Sequence, residues 1–430
     1  MDVIIVVALL IVMIVAGAPI FLALGAAGLL GLYMEQGSLA LFFAPTSAFG
    51  QLNSFELIAL PLFILMGNFL AATPIGSFLF HAAVCWLSWL RGGLAIASVG
   101  ASALFGAVSG VSIAGVAAVG GIAVPEMLKR GYSRPLASGA VVSAGALAML
   151  IPPSVPFIIY GAVSGVSVAD LFIGGIVPGF ALALALSTYI YIRVLRNPQE
   201  APRDETLSIT WGERVKSLGG IWHAALLIIA VLGSIYTGVA TPSEAAAVGA
   251  VGAFLIAGGI FRALPPKRIS AILLQTAKVS GAILLIMACA KIFGDYMNFV
   301  RVPQMLTDAL TATNLPPWAI FTAIMILLVL LGMLVDAVSL IVVTTPILLP
   351  LVIALGYDPL WFGIILVMNL EIAVVTPPVG LNLYALRGVC PQLSVEEIIT
   401  SVVPFVLVQF AVLMIFVLFP GISLWLPNLL

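Results

Sequence analysis

The feature that most constrains this chain is a succession of apolar runs too long and too continuous for a soluble core. They lie at about 3–16, 17–34, 56–71, 94–124, 136–163, 171–192, 221–238, 243–261, 277–297, 318–355, 360–386 and 399–419. An α-helix needs about 20 apolar residues to cross the hydrocarbon core of a bilayer. Charged side chains make up 8% of the 430 residues, against about 25% in a soluble globular protein, so no water-facing surface can be clothed. A cytosolic enzyme, a nucleic-acid binder and a disordered tail are excluded. The runs also lack the alternation of barrel strands. The fold class expected is all-α and polytopic, with roughly ten to twelve membrane-embedded segments.

Little else in the composition suggests reactive chemistry. Cys85, Cys289 and Cys390 sit in or beside apolar runs without metal-ligand spacing, and read as packing residues. His81 and His223 are isolated, and the net charge of −1 offers no basic domain to a nucleic acid. No phosphate-binding loop, nucleophile with a base, or dinucleotide fingerprint is present. Met1-Asp2 runs straight into an apolar stretch without a basic leader, so the first segment is expected to remain in the mature protein.

One long polar break, Arg193 to Lys216, divides the chain near its midpoint, and the two sides share landmarks. Gly131-Tyr132 and Gly356-Tyr357 are each preceded by a proline six residues earlier, Pro125 and Pro350. Each glycine is followed twenty-one residues later by a Pro-Pro pair, Pro152-Pro153 and Pro377-Pro378. The expected organisation is a first repeat over 1–192, a polar cytoplasmic connection over 193–220 and a second repeat over 221–430.

Basic residues set the sidedness. They cluster at Arg91, Lys129, Arg130, Arg134, Arg193–Lys216, Arg262–Arg268 and Arg387, while 35–55, 164–170 and 356–359 have none. With Arg91 and Lys129 on one side, the stretch 94–124 enters and leaves from that side as a re-entrant hairpin. Gly106, Ser109, Gly110, Ser112 and Gly115 gather where its turn falls. The stretch 318–355, turning near Gly332–Ser339, reads as a hairpin from the opposite side, with Arg301 as an exception. This is the inverted-repeat pattern of secondary transporters: about five spans plus one hairpin per half, with both termini outside.

The Pro-Pro pairs interrupt apolar runs at about 136–163 and 360–386. Proline lacks an N–H and clashes with the preceding turn, so each run is expected to be a broken helix whose freed carbonyls need partners that lipid does not offer. A bound Na⁺ supplies them; a kinked helix capped by its own Ser and Thr side chains is the structural alternative. At the hairpin tips, Ser109 and Ser112 bring hydroxyls and Asp336 a carboxylate, and small-residue helix packing is the alternative there. Lys278 is read as snorkelling to the interface. Lys291 lies deeper, at the spacing that pairs it with Asp295. Glu371, five residues before Thr376, is a secondary candidate at the second break.

Several stretches together resemble a known family over essentially the whole chain. They are Pro61–Gly67 (PLFILMG), Gly106–Ala114 (GAVSGVSIA), Pro125–Tyr132 (PEMLKRGY), Ile151–Ser154 (IPPS) and Gly175–Gly179 (GIVPG) in the first half. In the second half they are Ala240–Gly249 (ATPSEAAAVG), Thr345–Pro350 (TPILLP), Asn369–Glu371 (NLE) and Thr376–Leu383 (TPPVGLNL). The chain resembles the large membrane subunit, or M subunit, of TRAP (tripartite ATP-independent periplasmic) transporters. That resemblance implies a bacterial inner-membrane permease of the elevator type, importing an organic acid anion, typically a carboxylate, with Na⁺ as coupling ion. It implies a periplasmic substrate-binding protein and a small four-helix membrane subunit, here a separate chain, as partners within the lipid.

The resemblance also implies two Na⁺ sites. The first falls on Ser109, Gly110, Ser112, Gly145, Pro152 and Pro153, the second on Gly332, Thr376, Pro378 and Gly380. Candidate substrate contacts are Ser109, Ser112, Ser154, Asp336 and Asn382. Two residues depart from the family pattern: Val111 breaks the serine run of the first tip, and Ala148 stands where a glycine is usual. A stand-alone carboxylate or ion exchanger of the same architecture, and a non-transporting membrane scaffold, are the other readings.

Overall fold

The computed structural model describes residues 2–202, 209–313 and 315–429, so residues 203–208 of the expected polar connection lie outside the described residues. The described residues are helical throughout, with no strand among them. The first half comprises α1 (Asp2–Val15), α2 (Ile20–Gln36), α3 (Ala40–Leu52), α4 (Ala59–Ala71), α5 (Ile75–Leu87), α6 (Gly93–Ser109), α7 (Ser112–Lys129), α8 (Arg134–Gly145), α9 (Val155–Ser164) and α10 (Val168–Arg196). The short α11 (Trp211–Leu218) follows the polar break. Then come α12 (Trp222–Tyr236), α13 (Pro242–Leu255), α14 (Pro266–Phe299), α15 (Val302–Thr311), α16 (Pro317–Gly332), α17 (Ala337–Ala354), α18 (Pro359–Val375), α19 (Leu381–Val389), α20 (Val395–Leu418) and α21 (Pro420–Leu424).

The helix ends follow local chemistry. Thr241 and Ser394 start α13 and α20 with capping boxes closed by Glu244 and Glu397, each satisfying backbone N–H groups that the helix leaves free. Glu244 is thus a cap at an exposed helix end. Gly92, Gly110 and Gly165 take positive φ at helix boundaries, where a side chain would be strained.

Seven helices among the described residues are long and apolar enough to cross a membrane, or nine with each of two bent pairs taken as one span. That tally includes α7 and α17, which the sequence reading assigns to the hairpins, and leaves out α1, α16 and α18 as shorter. α2 continues through a short 3₁₀ turn into α3 as one 33-residue unit. Chain direction also changes sharply within apolar sequence, with 72° between the α4 segment and α5.

Two packed bodies position the site. In the first, α2 lies along α14 and α4 lies along α13. Gly28 is what allows the first contact, since a Cβ there would sit 2.6 Å from the Phe293 backbone nitrogen. The second body gathers α6 to α10 and α16 to α20 around α18. Every residue from Trp361 to Val375 of α18 is buried, as a helix apolar on all sides requires. Large apolar side chains such as Val15, Phe42, Phe180 and Leu407 project outward, where a bilayer replaces water.

Candidate functional site

The tips and breaks come together in space. α6 ends at Ser109, Gly110 turns the chain with φ +63°, and α7 begins at Ser112. No side chain fits at Gly110: a Cβ there would lie 2.6 Å from the Pro153 carbonyl oxygen. The Val155 N–H donates to the Gly110 carbonyl at 3.5 Å, tying the first tip to the first break. In that break α8 tightens into a 3₁₀ turn over Ala146–Met149, and helix resumes at Val155. The Ser154 hydroxyl donates to the Met149 carbonyl and accepts from the Phe157 N–H, so it caps α9.

The second pair repeats the plan with other residues. α16 ends at Gly332, and Asp336 caps α17 by accepting from the Ser339 N–H at 3.0 Å and the Ser339 hydroxyl at 2.5 Å. α18 ends at Val375, where the Thr376 hydroxyl donates back to the Ile372 carbonyl at 2.5 Å. Gly380, with φ +49°, precedes α19. The Val379 N–H donates to the Met333 carbonyl at 3.2 Å, tying the second tip to the second break. The Pro152–Pro153 and Pro377–Pro378 peptide bonds are both cis.

The halves then interlock, α7 against α19 and α9 against α17. Across the first contact, Asn382 Nδ2 donates to Ser112 Oγ at 2.7 Å, and Asn382 Oδ1 lies 2.9 Å from the same oxygen. Both side chains are buried and 270 residues apart in sequence.

Between the four elements lies a cavity of about 210 Å³, a volume for a small solute when drug-sized pockets run to about 300–1,000 Å³. Its wall holds the first residues of four helices: Ser112 of α7, Val155 of α9, Ala337 of α17 and Leu381 of α19. Helix N-termini present free N–H groups and positive dipole ends. The cavity's polar side chains are Ser112, Asp336 and Asn382. Three of the five expected substrate contacts therefore meet there. Ser109 and Ser154 lie beside it, buried, with Ser109 against Val111 and Ser154 against Met149.

Of the expected Na⁺ residues, Gly110 and Ser112 line the cavity and the others do not. Gly110 abuts Pro153, and the Gly145 carbonyl lies 3.7 Å from where a Cβ on Gly115 would be. In the second half Gly380 sits against the Thr376 carbonyl, while Gly332 packs on Ala373 with space for no Cβ. Pro378 is exposed. Ala148, the departure from the family pattern, is accommodated by Gly106, where a Cβ would come within 2.6 Å of the Ala148 Cα. Val111 has extended backbone and leads into α7. Glu371 is 1% exposed, lies away from the cavity wall, and neither carboxylate oxygen has a hydrogen-bond partner among the described residues.

Sequence reasoning missed the wall contributed by the other body. Ile64 of α4 and Val279 and Ile283 of α14 close the cavity, and nothing separates them in sequence from other aliphatic residues of a span.

Comparison with known proteins agrees with this architecture. A profile of the family described as "Tripartite ATP-independent periplasmic transporter, DctM component" matches residues 7–422. The chain is 35% identical to the C4-dicarboxylate TRAP transporter large permease protein DctM of Vibrio cholerae, covering 98% of this chain and 96% of that one. It is 31% identical to the 2,3-diketo-L-gulonate TRAP transporter large permease protein YiaN of Escherichia coli, covering 86% of each. It is 37% identical to the isethionate TRAP transporter permease protein DctMQ of Oleidesulfovibrio alaskensis, of which it covers 64%. Among solved structures, the YdaH transporter of Alcanivorax borkumensis shares the fold with a TM-score of 0.59 at 16% identity, over 89% of each chain. MtrF of Neisseria gonorrhoeae does so with a TM-score of 0.61 at 14% identity, over 91% of this chain and 85% of that one. The chain is a multi-pass membrane protein and belongs to the DctM family, the large permease subunits of tripartite ATP-independent periplasmic transporters.

Proposed function

We propose that this permease imports a small organic acid anion across the bacterial inner membrane, coupled to Na⁺, with substrate delivered by a periplasmic binding protein and a small four-helix subunit completing the scaffold. The observation that carries the reading is the convergence of four helix N-termini on one small cavity. Each N-terminus is worth about 0.3–1 kcal/mol toward a nearby negative charge, and a mostly apolar wall screens these contributions less than water does. A carboxylate seated there is held by N–H groups and by Ser112 and Asn382. No cationic side chain lines the cavity, and Asp336, which already caps the start of α17, adds a carboxylate to its wall, so a seated anion depends on Na⁺ for charge balance.

Na⁺ complements this arrangement. The helices that end at the tips and breaks, α6, α16 and α18, leave carbonyls without helical partners, and Ser109 and Thr376 add hydroxyl oxygens. A hard cation prefers such oxygens, and its charge offsets that of the incoming anion. The cavity wall combines tips and breaks with Ile64, Val279 and Ile283 of the other body. An elevator movement, in which α6 to α9 and α16 to α19 slide against α2, α4, α13 and α14, would carry the site from one side to the other. The relatives bearing C4-dicarboxylate and 2,3-diketo-L-gulonate names agree with a carboxylate cargo.

The test is uptake of radiolabelled organic acids into proteoliposomes holding the permease and its small subunit, with the binding protein added outside. Uptake is expected to require an inward Na⁺ gradient and to stop when choline replaces Na⁺. Uptake indifferent to that replacement would overturn the coupling.

A further inference from the structure

A second cavity, larger than the first at about 510 Å³, lies between α14 and α17. It is built the opposite way. Gln51, Val163, Asn298 and Ile353, each the penultimate residue of α3, α9, α14 and α17, stand on its wall. Four helix C-termini thus surround it, with their negative dipole ends and free carbonyls. Deeper in the cavity, the Lys291 ammonium donates to the Asp295 carboxylate at 2.7 Å. The two side chains are 41% and 28% exposed.

Lys291 lies eight residues and Asp295 four residues inside the end of the apolar helix α14, where each charge costs less than the about 2.5–3.5 kcal/mol of a span's centre and is offset by its partner. Neither group makes another side-chain hydrogen bond among the described residues. The ammonium therefore has two hydrogens, and the carboxylate a second oxygen, free for a guest. On the facing wall Thr345 is wholly buried, and its hydroxyl has no hydrogen-bond partner among the described residues. The rim is negative, the floor holds a cation, and the two formal charges cancel. A bare multivalent anion gains little from such a field. A dipolar guest, with its carboxylate inward and a donor outward, matches it.

We propose that this cavity is a second solute site, which takes a carboxylate that also carries a hydrogen-bond donor, hydroxyl or ammonium. Its carboxylate binds Lys291, and its donor binds the free oxygen of Asp295. The site lies beside segments 164–170 and 356–359, which hold no Lys or Arg, and the proposal places it on the outer side, with Arg301, just past Asn298, as the exception to that charge pattern. It receives solute before the central cavity does. The proposal deepens the transport reading above and rests on it.

The test places a thiol at the exposed Ile353 (Ile353→Cys) in a permease whose Cys85, Cys289 and Cys390 are serine. The permease and its small subunit are reconstituted without Na⁺ or binding protein and labelled from outside with a membrane-impermeant maleimide. Succinate, malate and aspartate share one carbon skeleton and differ at one substituent. Malate or aspartate at four times its dissociation constant is expected to slow labelling about fivefold, by the factor 1 + [L]/Kd, with succinate slowing it far less. Lys291→Met should abolish protection and Lys291→Arg should keep it. Asp295→Asn should erase the preference over succinate. No labelling, no protection by any of the three, equal protection by all, or protection surviving Lys291→Met would each overturn the proposal. Because Na⁺ and the binding protein are absent, such a failure leaves Na⁺-driven uptake standing, and a failure of uptake leaves protection standing.

Discussion

The first tip and break are sealed, whereas the second are open. Ser109, Gly110, Ser112, Pro152, Pro153 and Ser154 are all buried, while Leu334 of the second tip is 63% exposed and Pro378 and Val379 face outward. The cause is cover. α10 lies over the first break so closely that a Cβ on Gly175 would meet the Leu150 carbonyl at 2.6 Å, and one on Gly179 would meet Ile151 at 2.8 Å. Equal landmarks in the two halves do not make equal environments. The first half is the more closely covered side of the cavity, and the second is the more exposed one.

The largest effect should come from the two tip glycines. Gly110→Ala forces a side chain into left-handed backbone, which costs roughly 1–2 kcal/mol, and drives it into a carbonyl that belongs to the break. Gly332→Ala keeps an allowed backbone and meets the Ala373 methyl at 2.6 Å, with Leu340 and Leu370 at 3.5 Å. Initial uptake rates in proteoliposomes, normalised to assembled permease, should fall much further for Gly110→Ala. Equal losses would break the comparison.

Next comes the link between the halves. Asn382→Leu strands the buried Ser112 hydroxyl, at a cost of about 1–3 kcal/mol. Adding Ser112→Ala should recover part of this, with a coupling of about 0.5–3 kcal/mol. Thermal unfolding of the purified permease reads both, and simple additivity would show that the hydrogen bond contributes nothing.

The caps separate charge from stability. Ser154→Ala removes the α9 cap and should cost about 1 kcal/mol. Asp336→Asn keeps an equally good cap for α17, so its melting temperature should stay near that of the parent. Uptake by Asp336→Asn should nevertheless change, because a carboxylate on the cavity wall has become neutral. Unaltered uptake kinetics would remove Asp336 from the site.

The smallest effect belongs to Arg134→Gln. It removes an exposed 3.0 Å ion pair to Glu397 that joins α8 to α20, a contact worth about 0–1 kcal/mol. The difference from the parent should vanish in about 1 M choline chloride, where the screening length is about 3 Å. A difference that persisted there would assign Arg134 a packing role.

Much of this architecture is legible along the chain. Breaks at Pro152-Pro153 and Pro377-Pro378 and turns at Gly110 and near Gly332 are local events, dictated by a missing N–H or a missing Cβ; the caps at Ser154 and Thr241 are equally local, though the sequence reading takes Ser154 as a substrate contact. The joining of α2 to α3 and the bend between α4 and α5 were not legible, because both occur within apolar sequence. Nor were Ile64, Val279 and Ile283, since aliphatic residues lining a cavity look like those lining lipid. Lys291 and Asp295 could be paired by their spacing, but their cavity could not be foreseen without α17 opposite.

By itself, the sequence determined the solvent, the helical class and the points where helices begin, turn and break, since each depends on hydropathy or on contacts within a few residues. Only the tertiary structure decided that four helix N-termini meet at one cavity and four C-termini at another, and that Ser112 finds Asn382. Those arrangements depend on contacts between residues hundreds of positions apart, which packing selects and no local pattern encodes.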